Sequence, residues 1–342
     1  MQAIRSFLFL AIAFCGLCIA MPGSAIAQSN NAAEETVRAV EQILKGVITS
    51  GGDQPADAEP GTAAESADGK PTAEGQTPAA NVPAADPDAP PVPGRLYARL
   101  TEDAGALSSG VHWRLYRTTP EADGSFMTVA SSDEPQPVIN VAPGEYVAVA
   151  VFGHAVASRK ITVEQEPFRE AITLNAGGLR LTSLGFDGKA LSPKVAKLSV
   201  YSAEQDEFGQ RKLVVENAQP GRVIVLNAGS YHIVSQYGDA NSVVRDDVKV
   251  EAAQLTDARI KHSAAAITFK LVNEAGGEAL ANTAWSIVSP GGDVVKESFG
   301  AFPTHILAAG DYSVIARHEN NIYNRDFSVQ PGLTQEVEVV AQ

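Results

Sequence analysis

A six-residue pattern that occurs three times constrains this 342-residue chain more than anything else in it: Pro143-Gly144-Glu145-Tyr146-Val147-Ala148, Ala228-Gly229-Ser230-Tyr231-His232-Ile233 and Ala309-Gly310-Asp311-Tyr312-Ser313-Val314. Each copy follows a short apolar run. Glycine supplies backbone freedom at a corner, and tyrosine brings a large apolar body whose hydroxyl needs a partner when buried. The pattern therefore reads as the corner of a small β-domain. Its glycines stand 85 and 81 residues apart, too long for a solenoid unit of roughly 20–50 residues and right for a small sandwich.

Other landmarks keep the same phase. Apolar alternation opens each unit at Leu96-Tyr97-Ala98-Arg99-Leu100, Leu179-Arg180-Leu181 and Ile267-Thr268-Phe269-Lys270-Leu271. A second strand follows 17 to 19 residues on, with Trp113 and Leu115, Leu198 and Val200, then Trp285 and Ile287 pointing one way. Alternating runs between turn residues give seven strands in each unit, the first set near 95–100, 111–117, 125–129, 137–141, 145–152, 157–163 and 169–174. The fold class is all-β: three tandem seven-stranded antiparallel β-sandwich domains at 94–176, 177–262 and 263–342, preceded by a short amphipathic helix and a disordered linker.

The Gly-x-Tyr-x-apolar corner, with Trp113 or Trp285 upstream, resembles the tyrosine corner and core tryptophan of immunoglobulin-like domains. The run from Val141 to Val147 also looks like the closing hairpin of prealbumin-like modules, the group that includes Cna B-type repeats and carboxypeptidase regulatory-like domains. The resemblance covers Gly94 to Gln342. Two departures matter. No cysteine stands at Ala148, Ile233 or Val314, so the immunoglobulin disulfide is absent. The Lys–Asn cross-link of some Cna B-type domains is not expected either, since Lys270 is out of phase with Ile267, Phe269 and Leu271 and the run Glu336-Val337-Glu338-Val339 has no Asn.

Ahead of the repeats, Arg5, the apolar run Phe7 to Ala20 and Ala25-Ile26-Ala27 before Gln28 have the layout of a secretory signal peptide spanning 1–27. Both cysteines, Cys15 and Cys18, fall inside it, so the mature chain is expected to carry no thiol, no disulfide and no cysteine-based zinc site. Within 28–50, Asn31 to Val47 reads as a helix, with Val37, Val40, Leu44 and Val47 along one stripe. A helix of about four turns is marginal alone, so the stripe is expected to dock within the chain, or to serve self-association or a partner. From 51 to 93 the chain holds nine of its 20 prolines, eight acidic residues and one lysine, Lys70. That composition cannot bury enough apolar surface to fold, and its reach lies between roughly 35 Å as a coil and roughly 130 Å fully extended.

The net charge of −14 argues against a nucleic-acid partner, which requires clustered Lys and Arg. An apolar run of about 15 residues at the N-terminus is short for a membrane span, so no transmembrane helix is expected in the mature chain. The localisation read from these features is periplasmic or secreted.

No catalytic, phosphate-binding or dinucleotide motif appears, and the six histidines form no metal-ligand pair. Neither a cofactor nor a metal is expected. Gly238-Asp239-Ala240-Asn241 has oxygen ligands but reads as turn chemistry. Arg159, Arg245 and Arg325 recur 13 or 14 residues after the corner tyrosines, and repetition in every unit points to a structural role. The outward positions of the second strands carry His112, Arg114 and Tyr116, then Lys197 and Tyr201, against Ala284, Ser286 and Val288 in the third unit. These aromatic and basic residues form the candidate ligand-contact face, with cross-strand packing as the alternative. The functional reading is a non-enzymatic exported interaction or structural module of a bacterial-type cell envelope, with an envelope protein or glycan of unknown identity as partner. The alternative is a carbohydrate- or peptidoglycan-binding protein.

Overall fold

The computed structural model describes residues 89–122 and 125–341. The expected signal peptide, the helix stripe Val37, Val40, Leu44 and Val47, and the linker up to residue 88 lie outside the described residues. The first sandwich comprises β1 (Val92–Arg99), β2 (Val111–Pro120), β3 (Phe126–Ser132), β4 (Val138–Val141), β5 (Gly144–Phe152), β6 (Ala155–Val163) and β7 (Phe168–Thr173). The second comprises β8 (Ala176–Leu184), β9 (Ala196–Gln205), β10 (Arg211–Val215), β11 (Val223–Asn227), β12 (Gly229–Tyr237), β13 (Val243–Val250) and β14 (Leu255–Lys261). The third comprises β15 (Ala264–Val272), β16 (Ala284–Val288), β17 (Val294–Phe299), β18 (Thr304–Ala308), β19 (Gly310–His318), β20 (Asn321–Val329) and β21 (Gln335–Val340).

Each sandwich sets a three-stranded sheet of order fourth-first-seventh against a four-stranded sheet of order third-second-fifth-sixth. Apolar alternation drives both layers. Leu96, Trp113, Leu115, Tyr146, Ala148 and Ile161 fill the first interior, Leu179, Leu181, Leu198, Val200, Leu226 and Ile233 the second. The third is aromatic: the Phe327 ring lies 5.4 Å from Phe269 and 5.7 Å from Tyr312, with Trp285 beside Phe269. One pairing departs from the antiparallel expectation. First and seventh strands run parallel in every unit, as β1 with β7, β8 with β14 and β15 with β21. Alternation specifies which face is buried but not strand direction, and a parallel neighbour needs a crossover that here is the rest of the domain. The order also differs from the immunoglobulin one, in which the first strand pairs with the second.

The repeated motif joins the two layers. Tyr146, Tyr231 and Tyr312 each donate the phenol hydrogen to the carbonyl four residues back, at Ala142, Asn227 and Ala308, over 2.8, 2.9 and 2.9 Å. Gly144, Gly229 and Gly310 hold φ of 154°, 155° and 152°, where an L side chain is strained. The fourth strand belongs to the three-stranded sheet and the fifth to the four-stranded one, so the tyrosine pins a crossing between sheets rather than the hairpin suggested by the sequence.

The same corners receive the neighbouring sandwich. At the first junction Asn227 uses its side chain on the preceding unit, accepting from the Val156 amide at 3.0 Å and donating to the carbonyls of Val156 and Leu174 at 3.1 and 2.8 Å. The His154 amide donates to the Val225 carbonyl at 3.0 Å. At the second junction the β12–β13 turn reaches forward: Asn241 accepts from the Ala308 amide at 3.0 Å and donates to the Tyr312 hydroxyl at 2.8 Å. Asp239 pairs with Lys296 at 2.8 Å, and Ala240 packs against the third core. The first clasp starts, and the second ends, two residues before a corner glycine, at Asn227 and Ala308, where backbone position is already fixed.

Candidate functional site

The sequence-derived ligand face divides into two parts. His112 is exposed and its Nδ1 lies 2.7 Å from Asp133; Arg114 is half-buried beside it on β2. Tyr116 is 6% exposed, which corrects its assignment to an open face. A register shift between Leu115 and Tyr116 interrupts the pairing of β2 with β3, and Tyr116 faces Val147, itself fully buried, across β5. Lys197 and Tyr201 lie on β9 of the second sandwich, where Tyr201 sits opposite His232. The residues from the two units occupy different sheets and do not converge.

Other polar residues have structural partners. Arg159 donates to the Ala171 carbonyl at 3.0 Å, and Arg325 donates to the Glu338 carbonyl, each tying the sixth strand to the seventh. Arg245 is exposed on β13. Lys270 points outward and pairs with Glu336 and Glu338 at 2.9 Å each, which raises its pKa through those hydrogen bonds and lowers that of Glu338. The turn Gly238-Asp239-Ala240-Asn241 spends its oxygens on the junction, and the Lys296 ammonium lowers the Asp239 pKa. His262, fully buried before β15, is bonded at Nε2 by Ser235 at 2.8 Å and at Nδ1 by Ser242 at 2.9 Å, with burial lowering its pKa. Among the described residues no group of three or more His, Cys, Asp or Glu could hold a metal ion, and no helix is long and apolar enough to cross a membrane.

A concave surface lies in the third sandwich. A groove of about 460 Å³ crosses the outer face of its four-stranded sheet, lined by Ala284, Ser286, Glu297, Phe299, Ile315 and Arg317. It opens because β16 carries small residues at the outward positions where the first unit has His112 and Arg114. The positions were visible in the sequence, but small residues look like missing function until neighbouring strands supply walls around them. Phe299 is 67% exposed at one rim.

The chain is thus a protein of three tandem β-sandwiches. Residues 266–341 match the Rhizobiales growth-associated tandem repeat domain. None of the curated proteins matches the chain in sequence. Among solved structures it is similar to the Bacillus anthracis TIE protein, at 14% identity over 73% of this chain with a TM-score of 0.22, and it spans about half (51%) of that protein's length. It is also similar to a streptococcal ancillary pilin, at 12% identity over 74% of this chain and 99% of the other with a TM-score of 0.26. For the minor pilin of Streptococcus agalactiae the values are 14%, 49%, 94% and 0.29.

Proposed function

We propose that this protein is a non-enzymatic extracytoplasmic interaction module in which three sandwiches act as one stiff body carried by an acidic tether. The observation that carries the proposal is the pair of junction clasps built on the corner motif, through Asn227 and Asn241. Beads on flexible links have no use for side chains that cap a neighbour's backbone, whereas a body that holds its outer faces at fixed spacing does. The groove and outer faces then present contacts at the surface. The signal-like N-terminus sends the chain to the periplasm or beyond, and the growth association in the name of the matched repeat makes envelope growth the process to examine. The helix stripe Val37, Val40, Leu44 and Val47 is a second contact element, for self-association or an envelope partner.

Residual dipolar couplings on the chain lacking residues 1–27 test the body. Residues 92–340 should fit one alignment tensor, and three independent tensors would refute it. Pulldown from envelope extracts with and without residues 28–50 separates helix-borne from sandwich-borne contacts. Saccharide binding is the second reading, favoured by the groove.

A further inference from the structure

Two rows of outward side chains cross the third four-stranded sheet in register. Phe299, Ala284, Arg317 and Ile322 form one, and Glu297, Ser286, Ile315 and Asn324 the next. Their sequence neighbours Trp285, Ile287, Val314 and Ala316 face the core, so both rows are on the outer side. Ala284 and Ser286 form a low floor between Phe299 and Glu297 on one side and Arg317 and Ile315 on the other, with Phe299 67% exposed and Ile322, 62% exposed, beyond Arg317 in the same row.

The polar groups in this groove are largely unspent. Glu297 receives one long hydrogen bond, from Ser286 at 3.4 Å. The Arg317 side chain makes no hydrogen bond or ion pair to another described residue. On the three-stranded sheets, by contrast, Lys270 is consumed by Glu336 and Glu338, and Arg180 by Asp257. The strands that carry Glu297 and Arg317 stand about 10 Å apart at the backbone, which leaves room for a sugar substituent between the two long side chains.

We propose that this groove binds an N-acetylated amino sugar within a polysaccharide. A pyranose has an apolar C–H face, which Phe299 meets, and a polar edge, which meets Glu297 and Arg317. The acetamido group asks for three things at once. Its carbonyl accepts from the forked Arg317 donors, its N–H donates to Glu297, and its methyl rests on Ile315 or Ile322. A polyanionic glycan is disfavoured by the chain's net charge of −14. An added peptide strand is disfavoured because the groove crosses the face of the sheet, whereas strand addition uses an edge. The volume of about 460 Å³ suits a short saccharide segment.

The inference rests on the binding half of the proposed function. Its test is calorimetric titration of the chain lacking residues 1–27 with chitotetraose, against cellotetraose, which has the same linkage without acetamido groups. Saturable binding of chitotetraose is expected, at least about tenfold tighter than cellotetraose. Phe299→Ala and Arg317→Gln should each weaken it about tenfold, and Ala284→Trp, which fills the floor, should abolish it. Phe208→Ala, an equally open phenylalanine in the second sandwich at 78% exposure, should leave it unchanged. Far-UV circular dichroism verifies that each variant is folded. No saturable binding of chitotetraose, equal binding of cellotetraose, or binding that survives both Phe299→Ala and Ala284→Trp would overturn the site. The single-tensor measurement reports separately on the stiff body, so either reading can fail alone.

Discussion

Gly238 is where the second junction is most exposed to a single-atom perturbation. Its φ is +76°, and a Cβ built on it would stand 2.5 Å from Ile306 Cβ and 2.8 Å from Ile306 Cγ1. Carbon atoms pack best at about 3.5–4.0 Å, so the overlap exceeds 1 Å, and Ile306 cannot swing away because its Cβ is fixed to β18, paired to β15 through Ala266. Gly238→Ala should cost about 1–2 kcal/mol for the left-handed backbone and about 1–3 kcal/mol for overpacking. Gly188 separates the two contributions: its φ is +77° and a Cβ there meets no atom within 4 Å. Gly188→Ala should therefore show the backbone cost alone. The assay is urea unfolding of the chain followed by far-UV circular dichroism, which reads the second sandwich, where both glycines lie, as well as the third. A Gly238→Ala loss no larger than that of Gly188→Ala would refute the clasp as a close-packed contact. Accelerated proteolysis between Lys261 and Ala264 in Gly238→Ala alone would support it.

Three further outcomes follow from the same geometry. Asn227→Ala removes three hydrogen bonds at the first junction and should cost about 2–4 kcal/mol; Trp113 fluorescence should then show the first sandwich unfolding apart from the second, and a single unchanged transition would contradict this. Tyr231→Phe removes the bond to the Asn227 carbonyl and should cost about 1–3 kcal/mol by leaving that acceptor unpaired, as read from the denaturation midpoint. Burial depresses the folded pKa of His262 below the ordinary histidine value of about 6.5, so the unfolded chain binds the extra proton first as pH falls. Its stabilising contribution is whole above about pH 6.5 and declines as pH drops from there toward the folded pKa, by up to about 1.4 kcal/mol per pH unit. Denaturation between pH 7 and pH 5 should show that slope, and His262→Asn should flatten it; an equal slope in both would discount the histidine.

Much of the architecture was legible because it is local. Glycine and tyrosine at a fixed offset mark the corner, and period-two alternation placed Trp113, Leu198 and Trp285 inside their sandwiches. The groove was less legible. Ala284 and Ser286 are ordinary residues in a strand, and their meaning depends on Phe299, Glu297, Ile315 and Arg317 arriving from two other strands.

The sequence by itself determined the threefold repeat, the strand phases and the residues that fill each core, since these depend on neighbours along the chain and on which face of a pleat they occupy. Only the tertiary structure decided the parallel pairing of first and seventh strands, the burial of Tyr116 beside a register shift and the use of Asn227 and Asn241 as clasps. Those features depend on which distant backbone groups need partners, a question that spacing along one chain does not pose. The tyrosine corner belongs to both. Its residues announce a turn, while its position between two sheets, where in the second and third units it meets the preceding sandwich, is set by packing.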